Sequence, residues 1–178
     1  MRGNFNTSNI IGEQAQVIVV KILEEQKKLG AIKAFKRTEH TEYWDKGLDY
    51  ETDFIYKTLK NSLVFLEVKS LKGSNNKDQP YPTLCVEAYK DNKMEKRPGW
   101  WRMAEVCEET GNLARIVFLN RHNNTLYFHD SIKLKETISS IPEYKYRWAD
   151  DNNEDDSGWL AKIDWEDDYS FLGKIILP

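Results

Sequence analysis

Residues 63–69 read Leu63-Val64-Phe65-Leu66-Glu67-Val68-Lys69. Side chains alternate across a β-strand, so residues two apart share a face. Val64, Leu66 and Val68 make one wholly apolar face, and Leu63, Phe65, Glu67 and Lys69 make the other. An ordinary half-buried strand is polar along its whole outer face. This one carries two large hydrophobes and then a carboxylate and an amine at its C-terminal end. The second face is therefore expected to be covered by structure, with Glu67 and Lys69 left at an edge or cleft. Fourteen residues upstream of Glu67, Asp53 lies within Tyr50-Glu51-Thr52-Asp53-Phe54-Ile55-Tyr56-Lys57, a strand expected to pair with 63–69 through a turn at Lys60-Asn61-Ser62. Asp is disfavoured inside strands, so its position asks for a reason. A shared cation supplies one. Hard cations take oxygen ligands, and Asp53, Glu67 and the Val68 carbonyl offer three, with Lys69 beside them to hold a water and offset charge on a phosphate.

Outward from this pair the chain reads as a mixed α/β domain. Residues 10–29 predict a helix, with Ile11, Ala15, Ile18, Ile22 and Leu29 at helical spacing, Ser8 or Asn9 as cap and Gly30 as stop. Val17, Val19, Val20 and Leu23 widen its apolar surface. Residues 83–89 predict a third strand, after a Gly/Ser/Asn/Pro-rich loop at 73–82 expected to be exposed and mobile. Pro98-Gly99 opens a helix that Gly111 closes. Residues 114–119 and 125–129 follow as strands, and 131–140 as a helix starting at Asp130 or Ser131. The expected order is α-β-β-β-α-β-β-α, with the first three strands forming a meander.

At Pro142 the composition changes. Residues 142–178 hold 10 of the chain's 29 acids and only 4 of its 26 bases, which leaves residues 1–141 with a net charge of +3. We divide the 178 residues into a core, 1–141, and an acidic extension, 142–178, whose WLAKIDW and FLGKIIL stretches are apolar enough to dock on that core. Within the core, residues 57–102 carry 10 bases against 5 acids. Lys90, Lys93, Lys96, Arg97 and Arg102, with Trp100 and Trp101, form a basic and aromatic cluster suited to phosphates and an unpaired base.

An Asp on one strand, Glu-X-Lys closing the next and a Glu in a preceding helix together resemble the PD-(D/E)XK nuclease superfamily, in particular its small phage and bacterial members. The matching pieces here are Glu13, Thr52-Asp53, Glu67-Val68-Lys69, then Glu87 and Pro98-Gly99-Trp100, spanning about residues 10–130. Thr52 stands where the pattern's name has Pro. The resemblance implies a restriction-endonuclease-like central mixed sheet flanked by helices. It also implies hydrolysis of phosphodiester bonds, in DNA by expectation, assisted by Mg²⁺ or Mn²⁺. Asp53 and Glu67 would bind the metal and Lys69 would position or activate water. Glu13 and Glu87 are candidates for the same centre, each weighed against a plain role as a helix-end or strand-end carboxylate.

Other classes fit less well. Cys85 and Cys107 are too few for a disulfide scaffold or a cysteine zinc site. MRGNFNTSN lacks the apolar run of a secretory signal, and no stretch approaches the ~20 apolar residues that span a bilayer. A cytoplasmic protein without a membrane partner is the expectation, and a homodimer is compatible with it. The acidic stretch from Asn153 to Asp164 lacks the bidentate Glu of a calcium loop, and His40, His122 and His129 form no triad-like set. Two rivals share the scaffold. One is a catalytically silent nucleic-acid-binding module, and the other a protein-interaction module, such as a phage inhibitor, using the acidic 150–168 segment as a nucleic-acid mimic.

Overall fold

A computed structural model describes residues 4–38, 52–71, 84–149 and 158–178. The 73–82 loop, His40 and the acidic 150–156 stretch lie outside the described residues. The chain folds as α1 (Asn4–Lys28), β1 (Ile32–Arg37), β2 (Phe54–Thr58), β3 (Leu63–Leu71), β4 (Leu84–Tyr89), α2 (Gly99–Thr110), β5 (Leu113–Asn120), β6 (Thr125–Asp130), α3 (Ser131–Ser140), β7 (Arg147–Ala149), β8 (Gly158–Ile163) and β9 (Phe171–Ile176), with one 3₁₀ turn at Glu143–Lys145. It is an α/β architecture. Among the described residues a mixed sheet in the order β1-β2-β3-β5-β6-β9 is flanked by three helices, and β4-β8-β7 form a second, smaller sheet.

The local signals act where expected. Asn61 takes φ 67° in the β2–β3 turn, and Gly30 and Gly111 take φ 71° and 69° after α1 and α2. Asp130 caps α3 by accepting from the backbone of Ile132 at 3.0 Å and Lys133 at 3.1 Å. The helix predicted over 10–29 begins earlier, at Asn4, and its buried stripe is Ala15, Val19 and Leu23. Leu29 falls in the turn beyond the helix and is exposed.

Two strand assignments change. Residues 32–37 form β1, an edge strand whose Lys33, Lys36 and Arg37 hide the period-2 signal, as does a register shift between Ile32 and Ala34. Charged side chains are a common way of blunting a sheet edge. The meander is therefore β1-β2-β3 rather than β2-β3-β4. The free side of β3 is taken by β5, parallel, over Val64–Leu71 against Leu113–Asn120. A parallel partner needs a crossover, and β4 and α2 provide it. Released from the main sheet, β4 pairs with β8.

Alternation divides the core. Val64, Leu66, Val68, Val117 and Leu119 pack with the α1 stripe, while Ile116 and Phe118 face the hydrophobic cluster of Trp100, Trp101, Leu134 and the small sheet. The boundary at 141/142 is one of composition: β8 joins β4 and β9 joins β6.

His129 lies fully buried on β6 between the rings of Phe118 and Phe171, with centroids at 5.7 Å to each. Its Nδ1 meets Ser170 Oγ at 2.8 Å. Burial lowers its pKa from the ordinary 6.5 to about 4, against the pull of Asp168. Between those values the unfolded chain binds more protons than the folded one. The contribution is full above pH 6.5 and shrinks as pH falls toward 4. Urea denaturation should show stability declining by up to ~1.4 kcal/mol per pH unit in that window, and His129→Phe should remove most of this slope. An identical slope in the variant would assign the titration to other groups.

Candidate functional site

The site forms where β2 and β3 part. Their last paired rung is Phe54–Leu66, yet β3 continues to Leu71, with β5 as its strand partner there among the described residues. One step beyond that rung Asp53 comes level with Glu67. Asp53 is not inside the strand, as the sequence suggested, but at the bend before it. The disfavoured placement disappears, because an Asp at a ladder's end hydrogen-bonds backbone the ladder no longer serves. Its Oδ2 accepts from the Val68 amide at 2.7 Å, and its own amide donates to the Leu66 carbonyl at 3.0 Å. Thr52 Oγ1 lies 3.2 Å from the same carbonyl. The N–H and C=O of one strand residue project to the same edge, so the Val68 carbonyl also faces the fork.

Glu67 and Lys69 stand on the face of Ile116 and Phe118, as β3–β5 pairing requires. Lys69 Nζ contacts Glu67 Oε1 at 2.8 Å, with the Lys69 side chain 37% exposed and that of Glu67 only 5%. Glu67 Oε2 is buried and has no hydrogen-bond partner among the described residues. A buried carboxylate oxygen left unpaired costs several kcal/mol unless something binds it. The Asp53 carboxylate, the Glu67 carboxylate with its unpartnered Oε2, and the Val68 carbonyl are hard-oxygen donors of the kind that Mg²⁺ or Mn²⁺ takes. Among the described residues no group of three His, Cys, Asp or Glu side chains gathers here. Waters and a ligand's oxygens would have to complete the coordination shell.

The helix contributes a residue the sequence reading missed. Gln16 Nε2 donates to Asp53 Oδ1 at 2.6 Å, and its Oε1 accepts from Arg37 of β1. Gln16 is half-buried beside the Ala15–Val19–Leu23 stripe, and that flanking position was its only signal in the sequence. Glu13, one turn earlier, is exposed on α1. Glu87 sits on β4 in the smaller sheet, with its Oε1 close to Gly158 of β8. Neither completes a metal-binding group with Asp53 and Glu67 among the described residues.

The basic cluster divides in the same way. Trp100 is 1% exposed, lies edge-on to Trp101 at 5.4 Å, and donates from Nε1 to the Glu87 carbonyl at 3.0 Å. It is core, with no face for a base, because α2 packs both indoles against the β4 side. Arg97 is held between the rings of Tyr89 and Trp101, at 3.7 and 3.9 Å, and donates to the Ala88 carbonyl. Lys90, Lys93, Lys96 and Arg102 are exposed, the last 3.7 Å from Glu105. Cys107 is buried, which pushes its thiol up to about 12 and makes it a poor nucleophile. No protein-family model matches the chain, and no curated protein matches it.

Two tests follow from these placements. Gln16→Ala removes a hydrogen bond to a charged, half-buried group and should cost ~1–2 kcal/mol in urea denaturation, whereas Glu13→Ala should stay within ~0.5 kcal/mol. Equal effects would detach Gln16 from the site. For nucleic-acid binding, replacing Lys90, Lys93 and Lys96 together should flatten the dependence of log affinity on log salt by up to ~0.9 per lost duplex contact. Arg97→Ala should instead lower stability while leaving that slope unchanged.

Proposed function

We propose that the protein is a metal-dependent nuclease hydrolysing phosphodiester bonds in DNA, with Mg²⁺ or Mn²⁺ held by Asp53 and Glu67. The observation carrying this reading is the buried, unpartnered Oε2 of Glu67 beside Lys69, at the point where β2 leaves β3. The PD-(D/E)XK pattern and a helix–meander–crossover order also favour it. Another support is that 22 of the chain's 26 bases lie outside its acidic C-terminal segment.

A bound cation would supply Lewis-acid polarisation of a phosphoryl oxygen. The rest falls to the chain's own groups. Gln16 and the Val68 amide fix both oxygens of Asp53, which pre-sets its direction. Glu67 presents Oε2 from a low-dielectric wall, where an electrostatic contact is stronger than in water. Lys69 reaches from the buried carboxylate toward solvent, so its ammonium can orient a water and offset charge developing on the phosphate.

One observation favours a second reading. Asp53 already serves as the backbone cap of a ladder's end, and Glu67 and Lys69 already pair, so the constellation has a purely structural use. A silent nucleic-acid-binding module on the same scaffold follows from it.

Cleavage of duplex, single-stranded, flapped and four-way DNA separates the two. On at least one of these, the nuclease reading expects activity that EDTA abolishes and Mg²⁺ or Mn²⁺ restores. Asp53→Ala, Glu67→Ala and Lys69→Ala should each lower the rate by at least ~10²–10³-fold, with a cooperative melt retained. Cleavage undiminished in EDTA, or in Lys69→Ala, would sink this mechanism.

A further inference from the structure

A cavity of about 610 Å³ opens beside the small sheet, and Lys145, Arg147 and Lys162 line it. Ile141, Pro142 and Tyr146 contribute apolar surface to it. The hydroxyl of Tyr146 donates to the Ile138 carbonyl at 2.9 Å, so its polar end is already engaged. The cations come together through pairing. Antiparallel β7 and β8 set Arg147 opposite Leu160, which brings Lys162, two residues on, to the end where Lys145 enters β7 through the 3₁₀ turn. All three side chains are exposed, and none enters an ion pair among the described residues. Two acids lie two residues from these cations along the chain: Glu143, which accepts from the Tyr89 hydroxyl at 3.5 Å, and Asp164, which is exposed.

Residues 142–178 hold only four bases, and three of them converge on this cavity. Like charges gathered at one concave mouth repel one another and attract anions. Folding therefore builds a positive cleft from the most acidic part of the sequence. Among the described residues no acid lines it, and the apolar surface of Ile141, Pro142 and Tyr146 lies beside the cations, as suits an oxyanion flanked by a sugar or base. We propose that this cavity is a phosphate subsite holding the backbone of a nucleic-acid strand, separate from the Asp53–Glu67–Lys69 fork. The inference rests on nucleic acid being the ligand, as proposed above, and assigns that ligand a second contact surface.

The test measures binding of a labelled duplex and of the corresponding single strand to the full chain, in EDTA so that cleavage plays no part, across a salt series. The variants are Lys145→Gln/Arg147→Gln/Lys162→Gln and the charge-keeping Lys145→Arg/Arg147→Lys/Lys162→Arg. The neutral triple variant should bind more weakly at low salt. Its plot of log affinity against log salt should be shallower by ~0.9 per lost contact for duplex and ~0.7 for single strand. The charge-keeping variant should retain most of the parent's slope, and both should melt like the parent. Inorganic phosphate, titrated as competitor, should displace the strand from the parent more effectively than from the neutral triple variant. A parent-like slope in the neutral variant overturns the inference while leaving metal-dependent cleavage to its own assay. Loss of inorganic-phosphate binding with unchanged strand binding overturns it too, assigning the cavity to a small phosphate. A parent that binds neither strand removes this subsite and the nucleic-acid reading together.

Discussion

The separation of β2 from β3 after the Phe54–Leu66 rung is the constraint on which the candidate site depends. β3 must run on to Leu71, because β5 pairs with it along that length and ties the two halves of the main sheet together. β2 does not accompany it, so the edge of β3 that carries the Val68 amide loses its ladder partner. An amide near a core cannot go unserved without cost. Asp53 serves it from the bend that begins β2, and Gln16 of α1 in turn holds Asp53. One helix, one bend and one strand end are thereby locked together.

The same geometry sets Glu67 against the grain of its surroundings. Its neighbours across the β3–β5 ladder and on its own face are Ile116, Phe118 and Phe65, positions filled by apolar packing. An isolated charge there would be expelled or neutralised. Lys69 meets one carboxylate oxygen and leaves the other buried without a partner. A sequence selected for stability alone has easier choices at this position, since a well-packed hydrophobe is commonly as stable as a buried ion pair. Sites that break a local rule in an otherwise consistent fold are where function tends to reside.

Charge is distributed by the fold in a way the net value of −3 conceals. β8 and β9 weave the acidic C-terminal segment into both sheets. Its bases gather at the cavity beside β7 and β8, while Lys174 pairs with Glu166 at 2.8 Å. The basic stretch near α2 does the reverse. Trp100 and Arg97 go inward to pack against β4, and lysines are left to face solvent.

The sequence by itself determined the elements whose cause is local. Alternation wrote β3 and placed Glu67 and Lys69 on one face. Helical spacing wrote α1, Asp130 marked the start of α3, and Asn61 and Gly111 marked the turns that require a left-handed backbone. The α/β class followed from the order of these elements. The tertiary structure decided everything set by pairing across long separations. β5 rather than β4 takes the open side of β3, Gln16 rather than Glu13 reaches Asp53, and Trp100 turns inward. Three scattered cations meet at one cavity. Period and propensity act over a few residues and are printed in the chain. Which edge a strand fills, and which flank of a helix faces a fork, depend on competition among distant surfaces for burial and hydrogen bonds, and that competition is resolved only when the whole chain is packed.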